Sequence, residues 1–191
     1  MSTPHGIIEG SSVTQVDIYD GRRYNLGFPG GISSEFTGEA VAVEITPGQV
    51  LFVLLENTSH TGGPDQWPGY IWHDQRFSFE DLIAETQAHL GKPPLPLPLE
   101  NWPLIVTFDD ISQPETLHIV TGTDLSAWFG PGVMLQGLTL QIVKAPVTKG
   151  RINSFLPWLL PAGSVRGLVA PPPAPLVSLG AFLSIDHWSK T

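Results

Sequence analysis

Apolar residues recur along most of this chain at every second position, the spacing of β-strands. Ser11 to Ile18 sets Val16 and Ile18 on one side against Val13, Gln15 and Asp17 on the other. Glu39 to Ile45 places Val41, Val43 and Ile45 on one face, Pro47-Gly48 supplies a turn, and Val50 to Leu55 is almost wholly apolar. That pattern predicts a β-hairpin. Pro103 to Phe108 reads as a buried strand, Asp109-Asp110 opens a turn, and Thr116 to Val120 returns as the second arm of another hairpin. Val133 to Val143 reads as one long strand. Its apolar parity switches at Gly137, from Val133 and Leu135 to Leu138, Leu140 and Ile142, as a β-bulge would produce.

The period changes to that of a helix over Ser78 to Leu90. Ser78 is the expected N-cap, Glu80 and Asp81 suit the positive end of the dipole, and Gly91 is the stop. Phe79, Leu82, Ile83, Thr86 and Leu90 form its stripe. Lys92 to Leu99 then reads KPPLPLPL, an extended segment that cannot join a sheet centre: a rigid spacer, or a ligand for an aromatic groove. Tyr24 to Gly31 is a glycine-rich loop and Asn57 to Gly69 a long polar one. Asp124 to Phe129 predicts one helical turn closed by Gly130-Pro131-Gly132, and Arg151 to Leu160 holds a short helix before Pro157. Pro161 to Pro175 is a proline-rich connector to a last strand over Leu176 to Ile185. The expected fold is a single mainly β domain over 1–191, a sandwich or partly open barrel with one main helix at about 78–90.

Composition narrows the function. The 191 residues are 41% hydrophobic, enough to build a core without metals or disulfides. A net charge of −9 argues against nucleic acid and anionic membrane surfaces and favours a basic protein partner. Charge of that size also simply keeps a protein soluble. The absence of cysteine excludes disulfides, thiol catalysis and zinc-thiolate sites. No apolar run approaches the roughly 20 residues of a membrane span. Met1 is followed at once by Ser2-Thr3-Pro4-His5-Gly6, with no signal peptide.

A set of ordered motifs carries a resemblance. They are Thr3-Pro4-His5-Gly6 with Gly10-Ser11-Ser12-Val13, Gly38-Glu39-Ala40-Val41-Ala42-Val43, and Leu51-Phe52-Val53-Leu54-Leu55. Ile105-Val106-Thr107-Phe108-Asp109-Asp110-Ile111 follows, then Asp124-Leu125 with Phe129-Gly130-Pro131-Gly132-Val133, Pro146-Val147-Thr148, and Leu156-Pro157-Trp158-Leu159. In this the chain resembles a family of proteobacterial envelope proteins without established activity. The resemblance spans most of residues 3–160. It implies a periplasmic or membrane-anchored native form, whose anchor and a preceding strand lie upstream of the residues present here, with Met1 an added start. A complete chain would instead be cytoplasmic. No catalytic residues come with the family.

Chemistry has to be weighed residue by residue. His60, Asp65, His73 and Asp74 are the tightest polar group, and imidazole with carboxylate suits zinc or an iron-type ion. Their spacing matches no compact metal motif, and a solvated loop is the plainer reading. Asp109-Asp110 invites an acid/base pair, but neighbours on a strand face opposite ways and aspartate is expected at a turn. Gly10-Ser11-Ser12-Val13 is not on a strand-to-helix elbow, Asp186-His187 has no partner in sequence, and Gly27 to Gly31 lacks the helix a phosphate cradle needs. Trp67, Tyr70, Trp72 and Phe77 cluster near the long loop, where aromatics can anchor an interface. Trp102, Trp128 and Trp158 are expected to cap the ends of the β core.

The sequence therefore points to a non-catalytic, cofactor-free binding protein of the cell envelope, in its sharpest form an acidic inhibitor or immunity-type protein. Asp65, Trp67, Tyr70, Trp72 and Asp74 would be its anchors. A metal-assisted hydrolase using His60, Asp65, His73 and Asp74 is the enzyme alternative, and a structural envelope component the third.

Overall fold

The computed structural model describes residues 1–20, 32–57, 79–121 and 123–159. Its centre is an antiparallel four-stranded sheet in the order β5 (Val41–Thr46), β6 (Gln49–Asn57), β8 (Pro103–Phe108), β9 (Leu117–Val120). Both predicted hairpins build it. β5 pairs with β6, and β8 pairs with β9. Pairing of Phe52 with Val106 joins the hairpins. At the first turn Gly48 takes φ 82°, open to glycine at little cost, and its N–H donates to Glu44 Oε1 at 3.1 Å.

Strand parity divides the core in two. Ala42, Phe52, Val106 and Ile119 sit in one cross-strand row, and Val41, Val53, Ile105 and Val120 in another on the opposite face. Both rows are packed over, so every residue of β8 is buried. This explains why β6 and β8 read as continuous apolar runs rather than alternating ones. Over the first face lie Ile152, Leu156 and Leu159, from α3 (Arg151–Phe155) and the turn after it. Over the second lie Leu125, Val133 and Leu135, flanked by Trp102, Trp128 and Leu138.

Smaller elements surround the sheet. β1 (Ser2–Thr3) and β2 (Gly6–Ile7) form a short hairpin, and β3 (Gln15–Asp20) pairs with β4 (Ile32–Thr37). The strand expected over Ser11 to Ile18 therefore begins at Gln15. Before it, Val13 exchanges hydrogen bonds with Thr148. The main helix, α1, spans Phe79–Ala88 and stops before Gly91 at φ 73°. Leu90, placed on its buried stripe by the sequence pattern, is 40% exposed because the helix has already ended. Among the described residues no sheet closes into a barrel, and the fold is mainly β.

The long strand expected over Val133 to Val143 is not one strand. Only β10 (Thr139–Leu140) is regular, pairing with β7 (Leu95–Pro96). The segment changes partner along its length. Met134 bridges to Ser2 and Asp124, Leu138 O accepts from Leu97, and Ile142 O accepts from Gly91. The parity switch at Gly137 marks that change of partner. β7 belongs to the proline run, which joins a two-stranded pair and not the central sheet, as its missing N–H groups dictate. Short α2 (Ser126–Phe129) ends at Gly130, φ 91°, as expected. The 161–175 connector and the last strand over 176–185 lie outside the described residues.

Candidate functional site

His60, Asp65, Trp67, Tyr70, Trp72, His73 and Asp74 lie outside the described residues, between Asn57 at the end of β6 and Phe79 at the start of α1. The glycines at 27–31 and the Asp186-His187 pair also lie outside them. The remaining candidates can be built from the sheet upward.

The turn between β8 and β9 separates its two aspartates. Asp110 folds back into the turn, accepting from the Ser112 N–H at 2.9 Å, the Ser112 hydroxyl at 2.7 Å and Gln113 Nε2 at 2.6 Å. The bonds from Ser112, with that from Gln113, hold its carboxyl below the usual aspartate value. Asp109 faces elsewhere. The register places Thr107 opposite His118, which makes Asp109 a diagonal neighbour of His118 on the same side of the hairpin. His118 Nε2 and Asp109 Oδ2 are 2.8 Å apart. A carboxylate can only accept, so the imidazole donates here.

Trp128 completes the group. Its α2 is held by Asp124, whose Oδ1 accepts the Ser126 N–H at 2.9 Å. Hydrogen bonds from the Ser126 side chain and backbone keep Asp124 below the usual aspartate value. The Trp128 ring packs against the second core face and lies 4.5 Å from the His118 ring, tilted by 36°. The His118 side chain is 37% exposed and that of Asp109 65%. The sequence pattern reads Asp109-Asp110 as a turn and gives His118 no role beyond its place in the strand over Thr116 to Val120. The hairpin register was the signal that joins Asp109 to His118. Nothing local pointed to Trp128.

Other motif residues prove structural. Glu39 is 6% exposed, and its Oε1 and Oε2 accept the backbone N–H groups of Arg151 (2.9 Å) and Ile152 (3.2 Å). A carboxylate from one end of the chain thus caps α3 at the other. Ser12 donates its hydroxyl to Glu39 O at 2.6 Å, which ties the Gly10-Ser11-Ser12-Val13 motif to the same junction. Trp102 Nε1–H donates to Leu97 O at 2.9 Å and Trp158 Nε1–H to Ile111 O at 2.7 Å, each ring closing an edge of the core. Among the described residues no group of three or more His, Cys, Asp or Glu is placed to hold a metal ion. No helix of the described residues is long and apolar enough to cross a membrane.

Comparison of the chain with protein-family models, curated proteins and solved structures finds no match.

Proposed function

We propose that this chain is a binding protein of the bacterial cell envelope that engages a basic protein, in the manner of an acidic inhibitor or immunity-type protein. The envelope location rests on the resemblance of its motifs. One observation carries the basic partner. The chain bears a net charge of −9, and among the described residues the carboxylates of Glu85 and Asp109 lie beside histidine rather than lysine or arginine. Among the described residues the exposed carboxylates of Glu9, Glu100 and Glu115 meet no cation and remain for a partner to meet. Asp65, Trp67, Tyr70, Trp72 and Asp74 are proposed as its aromatic and acidic anchors.

A pull-down from the envelope fraction of the native host tests this, with the chain as bait at low and moderate salt. The expected result is one stoichiometric basic protein, lost as salt rises. Reversal of charge at Asp65 and Asp74 should weaken its capture. Recovery of no specific protein at either salt would end the reading.

A further inference from the structure

We infer that Asp109, His118 and Trp128 form a recognition point for an arginine side chain of a basic partner protein. The inference rests on the binding reading above and gives it a second place on the surface. Asp110 is consumed by its turn, so of the two adjacent aspartates Asp109 is the one that presents its carboxylate to solvent. The bond from His118 Nε2 to Asp109 Oδ2 fixes the carboxylate's orientation. Among the described residues Asp109 Oδ1 meets no partner, and it is free to accept. Trp128, held from below by the second core face, supports the imidazole from one side.

A pre-positioned flat ring beside an oriented carboxylate matches guanidinium. The planar cation can stack on the imidazole while its N–H fork reaches Asp109. The indole behind holds the imidazole in place for that stack. An ammonium group could meet the carboxylate but not use the stack. An anion would face both Asp109 and a chain of net charge −9.

The test is a titration of the full chain, near neutral pH and at low salt, with an oligo-arginine and an oligo-lysine peptide. It is followed by NMR at the Trp128 indole and the His118 ring. Arginine should shift both signals and bind better than lysine. Asp109→Asn should weaken arginine binding by about fivefold or more. Glu100→Gln, which removes the same charge from an exposed position elsewhere, should change it far less. Thermal melts check that both variants remain folded. Equal weakening by the two variants, equal binding of the two peptides, or shifts that bypass His118 and Trp128 would each overturn the site. A salt-sensitive partner that is still captured by Asp109→Asn at full strength would also remove this site, while leaving the binding reading intact. Arginine binding at this stack with no partner captured would do the reverse.

Discussion

Over one face of the central sheet lies a short helix; over the other lies chain that is mostly irregular. The first face is aromatic. Phe52 meets Phe108 edge-on at 5.8 Å and Phe155 at 6.3 Å, and Phe108 meets Trp158 at 5.9 Å. Its cover, α3, is fixed by the Glu39 carboxylate. The second face is aliphatic around Leu51, Val53, Ile105 and Val120, and its cover is tied by separate bonds such as Leu125 N–H to Val133 O and Leu135 N–H to Thr123 O. A sheet face can thus be kept dry without a second broad sheet, provided that the covering backbone finds partners one by one. The rim of the second face is also where the Asp109–His118–Trp128 group sits.

The largest expected effect strikes the aromatic face. Phe52→Ala should lower stability by about 3–5 kcal/mol in denaturant unfolding, because Phe52 is fully buried and meets two rings. A loss below 1 kcal/mol would show that this face is loosely packed. Gly10→Ala should cost about 1–3 kcal/mol, since the added carbon would stand 2.5 Å from Val43 Cγ2 and 3.2 Å from Ala42 O. An unchanged melting temperature would mean that the N-terminal segment does not lie tightly on β5. Glu39→Gln should cost about 1–3 kcal/mol and speed amide exchange at Ile152, with less change at Val133 on the other face. Equal acceleration at both sites would break the distinction between the faces.

The smallest effect concerns pH. The Asp110 carboxyl is held low in the fold, so its hydrogen bonds contribute stability above the ordinary carboxyl range. That contribution is lost as pH falls below about 4 towards the lowered folded value. Asp110→Asn should flatten part of the acid-side decline in melting temperature while changing little at pH 7. An unaltered acid limb would show that the turn does not depend on the charge.

Much of this was legible in the chain. Period-two patterning around Pro47-Gly48 and around Asp109-Asp110 located both hairpins, because in each the turn and the strands are adjacent in sequence. The short helices were legible from their stops, Gly130 and Pro157. Pattern alone failed at Val133 to Val143, where the alternation is real but is shared among Ser2, Asp124, Leu95 and Gly91 as successive neighbours. Periodicity reports which way a side chain faces, not whether one continuous strand lies beside it. The pairing of Asp109 with His118 needed only the hairpin register. Trp128 reaches that pair through tertiary packing, which no local pattern encodes. Glu39 was equally hidden, since its partners Arg151 and Ile152 stand 112 and 113 positions away.

Those separations bear on how the chain is made. Ser2 waits for Met134 and Gln136, Val13 for Thr148, and Glu39 for Arg151. During synthesis the early residues leave the ribosome with their hydrogen-bonding groups open, and their partners follow more than a hundred residues later. The two hairpins can form as they emerge, but the lacing that holds covers to sheet must come late. A ribosome stalled before residue 134 would therefore display hairpins and a half-covered apolar sheet, the stage at which this protein would most depend on a chaperone.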